Sequence, residues 1–179
     1  MRYRRLNIPG GTYFFTLVTY QRIPYFQNTS TIDLLHQALL HVQERHPFSI
    51  IAYVIMPDHL HMIWEMPEND FDYPTRLRLV KSYVTRGIQC RPAVINRSRL
   101  SKGEQEIWQR RYWEHTCKSQ QDLDTHIDYI HYNPVKHGLT NSPDGWIYSS
   151  FAQYVREGLY SQQDPCASKY PDLMNESYE

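Results

Sequence analysis

The sequence has no apolar run long enough to cross a membrane. Its longest one, SIIAYVIM at residues 49–56, is far shorter than the roughly 20 residues that a transmembrane helix needs. The N-terminus MRYRRLNIPGG has no apolar segment of the kind found in signal peptides. We therefore expect a cytoplasmic protein with no membrane partner.

The sequence also has few cysteines. Its three cysteines, Cys90, Cys117 and Cys166, form no CxxC pair. An odd number of cysteines without this spacing argues against a disulfide framework or a zinc ribbon, so free thiols are expected.

The sequence has no net charge, because 19 Lys and Arg residues balance 19 Asp and Glu residues, but the charges are unevenly distributed. Residues 76–111 carry a net charge of +8 and residues 157–179 a net charge of −4. Basic clusters combined with 14% aromatic residues are typical of a surface that binds single-stranded nucleic acid, although solvated charged faces have the same composition. The candidate contacts are Arg2, Arg4, Arg5, Lys81, Arg86, Arg110, Arg111, Lys136 and His137.

The hydrophobic pattern predicts one domain over residues 1–160 and an acidic C-terminal tail over residues 161–179. Strands are predicted at residues 12–20, 48–56, 59–66 and 107–117. Helices are predicted at residues 32–45, with Ser30 or Thr31 as the cap, at 74–89, at 120–133 ending before Pro134, and in a short C-terminal segment at 146–160. Residues 91–106 are polar and predict a loop. The order indicates an α+β protein with a ferredoxin-like βαββαβ antiparallel sheet, helices on one face of the sheet and an additional C-terminal helix.

Two histidines of the third predicted strand form an HxH motif. His59 and His61 are two residues apart, so both imidazoles leave the same face of the strand and can hold one divalent ion. Leu60 and Met62 then point to the opposite face. An isolated HxH motif is weak evidence, because two histidines without a metal give the same pattern.

The helix predicted at residues 120–133 supplies a second set of candidate residues. At 100° per residue, Leu123, Ile127 and Ile130 form a buried stripe, and a polar ridge containing Tyr129 and Asn133 flanks it. Tyr132 falls on the side away from the core. A phenol next to a carboxamide, on a ridge that abuts the histidine face of the sheet, suggests a nucleophile beside a metal ligand; a packing tyrosine and a helix-ending asparagine are the alternative.

Phosphodiester transfer to tyrosine is the chemistry that needs this set of residues. A divalent cation bound by His59, His61 and Asn133 would polarise the scissile phosphate, and Tyr129 would attack it. The products would be a phosphotyrosine and a free 3′-hydroxyl. Imidazole and amide ligands leave open Mg²⁺, Mn²⁺, Zn²⁺ and Co²⁺.

Three strings, MPDHLHMIWEMP, RRYWEH and HIDYIHYNPVKHGL, occur in an order that resembles the REP-associated tyrosine transposases, relatives of the single-tyrosine HUH insertion-sequence transposases. The resemblance spans residues 3–160, although residues 91–106 do not align with the family pattern. It implies an HUH endonuclease fold with His59 and His61 as the HUH pair, Tyr129 as the nucleophile and Asn133 as the third metal ligand.

The same resemblance implies a partner and a cofactor. The partner would be single-stranded DNA with palindromic REP hairpins, and the cofactor Mg²⁺ or Mn²⁺. A monomer is expected, with a homodimer as the alternative.

Three other functions fit parts of the sequence. In a metal-dependent hydrolytic nuclease, the metal would activate water and Tyr129 would only pack. A non-catalytic single-stranded nucleic-acid-binding module shares the βαββαβ order, but the sequence has no clear RNP motif. A degenerate transposase would bind DNA without cleaving it, which the intact set of candidate residues argues against.

Overall fold

A four-stranded antiparallel sheet forms the centre of the fold in the computed structural model, which describes residues 8–88 and 107–160. Its strands are β1 (Thr12–Val18), β2 (Ser49–Ile55), β3 (His59–Glu65) and β4 (Trp113–Cys117), in the order β2-β3-β1-β4. The helices are α1 (Thr29–Arg45), α2 (Tyr73–Gly87), α3 (Gln120–Lys136) and α4 (Phe151–Arg156). This order and direction confirm the ferredoxin-like α+β prediction, with α3 as the additional helix.

Helices cover both faces of the sheet. Tyr13 and Phe15 of β1 pack into a core with α1 and α2, whereas Phe14 packs with Ile127 and Ile130 of α3 on the other face. The prediction that the helices lie on one face is therefore wrong. Six of the seven residues of β3 are buried, which is the pattern of a strand covered on both faces.

Helix α3 extends past the proline that was predicted to end it. Pro134 lies inside the helix, which continues to Lys136. A proline in the last turn removes one N–H donor, and the neighbouring His137 N–H still donates to the Asn133 carbonyl at 3.0 Å. Gly138, two residues past the last helical residue, has a φ of 68°, the left-handed conformation that glycine adopts readily at the end of a helix.

Other boundaries also differ from prediction: β1 ends at Val18 instead of residue 20, and α4 spans only Phe151–Arg156 of the predicted 146–160. Helix α1 begins at Thr29, because the Asn28 side chain, rather than Ser30 or Thr31, caps it by accepting the Ser30 N–H at 3.2 Å. Strand β4 begins at Trp113 instead of residue 107, and Trp108 makes an isolated bridge to Thr19.

Several predictions fall outside the described residues: the loop at 91–106, the acidic tail at 161–179, Cys90, Cys166, Arg2, Arg4 and Arg5. Cys117 is a free thiol, as expected. Within residues 8–88 and 107–160, each helix is too short or too polar to span a membrane.

Candidate functional site

The histidine pair lies on β3, on the face of the sheet that α3 covers. His59 and His61 are 1% and 0% exposed, and their ring centroids are 5.0 Å apart. The strand period of two places both imidazoles on this face, as the sequence predicts. Two buried imidazoles this close together can ligate one ion.

Each ring is oriented through its Nδ1 atom. His61 Nδ1 lies 2.9 Å from the Thr16 hydroxyl oxygen, and His59 Nδ1 lies 2.6 Å from Asp58 Oδ1. When Nδ1 carries the proton and donates it to these oxygens, Nε2 holds the lone pair that binds a metal. Ionised Asp58 only accepts, so it selects for His59 the tautomer that a metal site requires, and the Thr16 hydroxyl can accept the His61 Nδ1 proton in the same way.

An arginine from the turn after β1 supports the Asp58–His59 contact. Arg22 Nη1 lies 3.3 Å from Asp58 Oδ2 and also 3.3 Å from His59 Nδ1. Burial acts to raise the pKa of Asp58, but the hydrogen bond and charge of His59 and the charge of Arg22 outweigh it and lower the pKa below 3.8. Asp58 is therefore ionised at neutral pH.

The turn that carries this arginine is strained. Gln21 and Arg22 have φ values of 54° and 56°, a left-handed conformation that non-glycine residues rarely adopt. Such strain tends to occur at functional sites. Arg22 was not predicted from the sequence, since no periodic pattern indicates a conformation of this kind.

Tyr129 of α3 faces the histidine pair. Its ring is 2% exposed and its centroid lies 5.2 Å from that of His61, with an interplanar angle of 78°. Phe14 contacts both rings, at 6.0 Å from Tyr129 and 5.5 Å from His61. Tyr132, by contrast, is only partly buried. The polar ridge predicted on the helix thus packs against the sheet.

Asn133 is one helical turn beyond Tyr129 and is 0% exposed. Neither its amide oxygen nor its amide nitrogen has a hydrogen-bond partner among the described residues. Buried amide groups are nearly always hydrogen-bonded, so an exception needs an explanation such as an ion. The carboxamide oxygen is thus suited to ligate a cation.

Two cationic or ionisable side chains follow on the same helix end. Lys136 Nζ lies 4.9 Å from the Tyr129 ring centroid, and the His137 ring lies 5.2 Å from the His59 ring. The end of α3 therefore places the positive charge of Lys136 beside the tyrosine and the His137 ring beside the histidines.

Further basic residues lie near the same end of the sheet. Val18, the register partner of His59, accepts a hydrogen bond from the Gln109 N–H at 2.9 Å, and Lys81 Nζ donates to the Gln109 carbonyl at 2.9 Å. The exposed residues Arg110 and Arg111 follow directly. Arg86 is exposed near the C-terminal end of α2.

The outer side of α3 is also buried, which was not predicted from the sequence. Tyr160 donates a hydrogen bond to Asp128, and His131 Nε2 lies 2.7 Å from Ser150 Oγ. Burial lowers the pKa of His131 to about 3, so this ring is neutral. The segment 146–160 provides this second contact surface for α3.

The comparisons with known proteins agree on one family. A family described as "Transposase IS200 like" matches residues 8–133. A REP-associated tyrosine transposase of Escherichia coli strain K12 is 37% identical over 158 residues, covering 88% of this chain and 87% of that protein. A Haemophilus influenzae protein that carries the same name as a provisional assignment is also similar. It is 39% identical over 160 residues, covering 89% of this chain and 90% of that protein.

A solved structure is similar over nearly the whole fold. It is a REP-associated tyrosine transposase bound to a REP hairpin, 36% identical in sequence, with a TM-score of 0.77. The similarity covers 92% of this chain and 90% of the solved chain.

Proposed function

This chain belongs to the IS200-like transposase family, and on that premise we propose that it cleaves and rejoins single-stranded DNA beside REP hairpins through a covalent link to Tyr129. It is a transposase, hence an enzyme that acts on DNA. The observation that carries the proposed mechanism is the 5.2 Å separation between the buried rings of Tyr129 and His61. A nucleophile and a candidate metal ligand that face each other from a helix and a strand are what phosphoryl transfer to tyrosine needs.

The cleavage step is a displacement at phosphorus. The Tyr129 oxygen forms a bond to the scissile phosphorus, the bond from phosphorus to the 3′-oxygen breaks, and the phenolic proton is lost as the 3′-oxygen gains one. The products are a 5′-phosphotyrosine and a 3′-hydroxyl. Attack by another 3′-hydroxyl on the phosphotyrosine reverses the step and joins a strand without ATP.

His59, His61 and Asn133 are the residues proposed to hold a divalent metal, Mg²⁺ or Mn²⁺. The oriented imidazoles and the buried Asn133 carboxamide, which has no hydrogen-bond partner among the described residues, support this assignment. When bound, such an ion stabilises negative charge that develops on the phosphate oxygens. Asp58 and Thr16 act through the histidines, because they fix the ring orientation.

Lys136 is proposed to assist Tyr129 directly. A tyrosine has an ordinary pKa of about 10, so its phenol is protonated at neutral pH. The Lys136 ammonium, 4.9 Å from the ring centroid, stabilises negative charge that develops on the Tyr129 side chain as it attacks phosphorus.

The DNA partner is proposed from the relatives and from the basic residues. The structural relative is bound to a REP hairpin, and the basic residues near the His59 end of the sheet can neutralise its phosphates. Phosphate contacts position a strand without reading its sequence. We assign this role to Lys81, Arg86, Arg110, Arg111, Lys136 and His137, and also to Arg2, Arg4 and Arg5 outside the described residues.

We propose that the enzyme works as a monomer in the cytoplasm. Tyr129 and the histidine pair are brought together within one chain, so a second copy is not required to complete this set of residues. Light scattering coupled to size-exclusion chromatography is expected to give the mass of a single chain, 21.5 kDa, rather than that of a dimer.

A cleavage assay tests this function. The protein is incubated with labelled single-stranded DNA carrying a REP hairpin from its own genome and Mg²⁺ or Mn²⁺; the control DNA has the same composition but a scrambled stem. We expect metal-dependent cleavage beside the intact hairpin, with a free 3′-hydroxyl and a 5′ end that remains on the protein. Equal cleavage of both DNAs would contradict the hairpin preference, and free 5′ ends would favour a hydrolytic nuclease.

A further inference from the structure

A second group of metal-binding side chains lies away from the histidine pair. It consists of His115 on β4 and of Asp122 and His126 in the first two turns of α3. His115 Nε2 lies 2.9 Å from both oxygens of Asp122, and His126 Nδ1 lies 3.1 Å from Asp122 Oδ1. The three side chains offer ligand atoms that all lie within 4.8 Å of one another.

This group, which we call the His115 cluster, is separate from the site proposed for catalysis. His115 on β4 pairs with Phe14 of β1, whereas His61 on β3 pairs with Thr16 of β1. The central strand β1 therefore lies between the two histidines. The Phe14 ring contacts both sides, 4.9 Å from His126 and 5.5 Å from His61. Two strand spacings correspond to about 10 Å, too far for a shared ligand.

The distances in the His115 cluster suit a tetrahedral ion. Metal–ligand bonds of about 2.0–2.2 Å in a tetrahedron set the ligand atoms about 3.4 Å apart. The observed separations from Asp122, 2.9 and 3.1 Å, need to widen by only a few tenths of an ångström. The two histidine rings stack with centroids 4.5 Å apart and 15° between their planes, so one ring must also rotate for both lone pairs to meet one ion. Asp122 is also anchored, since it accepts the Lys118 N–H at 2.9 Å.

We propose that His115, Asp122 and His126 form a second divalent-metal site, which takes a transition metal such as Zn²⁺ and fastens the tyrosine helix to strand β4. Two imidazoles and one carboxylate are ligands that Zn²⁺ accepts readily, with water in the fourth position. Because the cluster joins β4 to the turns of α3 that precede Tyr129, an ion there stabilises the helix that carries the nucleophile.

The same contacts have another explanation without an ion. The histidines can donate hydrogen bonds to Asp122, and His126 Nδ1 also lies 2.8 Å from the Asp122 backbone carbonyl. A bound ion would replace the protons that the histidines donate to Asp122. The hydrogen-bonded state and the metal-bound state therefore differ in metal content, which a binding measurement detects.

The experiment uses the full chain without a histidine tag, with His59→Ala and His61→Ala to remove the other candidate site. Zn²⁺ binding is measured by calorimetry, and Co²⁺ binding by its visible absorption. For the parent protein we expect one bound ion per chain and a rise in Tm with added Zn²⁺. In His115→Gln and Asp122→Asn, Zn²⁺ binding is expected to be weaker by about 10-fold or more. His41→Gln, an exposed histidine on α1, is the matched control and is expected to bind Zn²⁺ as tightly as the parent.

Asp122→Asn keeps an oxygen for the Lys118 N–H, and unchanged circular dichroism of the metal-free variants shows that they fold. The proposal is overturned if the parent binds no stoichiometric Zn²⁺, or if binding persists unchanged in both variants. Either result would mean that His115, Asp122 and His126 are joined by hydrogen bonds alone. Neither result bears on covalent chemistry at Tyr129, which is measured separately.

Discussion

Thr16 and His61 face each other across the β1–β3 ladder, and the Thr16 hydroxyl oxygen lies 2.9 Å from His61 Nδ1. Both residues are buried on the face of the sheet that α3 covers. This contact fixes the ring rotation, and when the hydroxyl accepts the Nδ1 proton it leaves Nε2 to bind a metal. The strand pairing therefore orients a candidate metal ligand.

Thr16→Val tests this orientation, because valine keeps the shape and removes the hydroxyl. The metal concentration that gives half-maximal DNA cleavage is expected to rise about 10-fold to 100-fold, the usual effect of losing a partner of a metal-binding histidine. The control is Thr125→Val, a partly buried position on α3 whose hydroxyl donates to the Gln121 carbonyl rather than to a histidine. If Thr16→Val cleaves with the wild-type metal dependence, the hydroxyl does not orient His61.

Arg110→Gln and Arg111→Gln test the basic surface. Each is expected to weaken hairpin binding similarly for all hairpin sequences and to reduce the slope of log affinity against log salt by about 1. Fluorescence anisotropy over a series of salt concentrations measures both effects. Arg45→Gln, at the exposed C-terminal end of α1, is expected to leave the slope unchanged; an equal change at all three positions would argue against a local DNA surface.

Arg76→Met is expected to destabilise the fold by about 3 kcal/mol, since it removes a buried charged donor and leaves its acceptors unpaired. The Arg76 guanidinium donates to Asp70 Oδ2 at 2.6 Å, to the Pro47 carbonyl at 2.9 Å and to the Asp72 carbonyl at 3.0 Å. Urea unfolding measures the change. Arg78→Met, at an exposed position on α2, is expected to stay within about 0.5 kcal/mol of wild type; equal losses would show that the buried contacts contribute little.

The effect of Asp70→Asn on the free energy of unfolding is expected to depend on pH. The hydrogen bond from Arg76 is the largest cause that holds the pKa of Asp70 below its ordinary 3.8. A lowered carboxyl pKa stabilises the fold above pH 3.8, and this contribution is lost as the pH falls through the lower folded-state pKa. Because Asp70 is partly exposed, we expect Asp70→Asn to cost about 1 kcal/mol at neutral pH.

The same loss is expected to shrink progressively below pH 3.8, where the wild-type carboxyl gains its own proton. Urea unfolding of both proteins at neutral and acid pH measures the difference. A gap that stays constant into acid would mean that the Asp70 charge does not stabilise the fold.

Periodicity predicted the parts of the site that lie on regular elements. The alternation of β3 placed His59 and His61 on one face, and the helical spacing of α3 separated Tyr129 from Tyr132. These features depend on local geometry, so the sequence alone determines them.

Features that depend on tertiary contacts were not predictable in this way. Arg22 reaches Asp58 through a turn with two positive φ angles, and the His115 cluster depends on how β4 pairs with β1. The covering of both sheet faces depends on where α3 docks, which no local pattern specifies. Pro134 also misled the prediction, because a proline in the last turn of a helix removes only one hydrogen bond.

The central claim, that Tyr129 is the nucleophile, is tested most directly by Tyr129→Phe with Tyr132→Phe as its matched control. Each protein is incubated with labelled hairpin DNA and Mn²⁺, and a denaturing gel shows any protein linked covalently to DNA. We predict a linked band for wild type and Tyr132→Phe, and none for Tyr129→Phe, which keeps the ring but lacks the attacking oxygen. A linked band that persists in Tyr129→Phe, or cleavage without any linked band in wild type, would contradict the account.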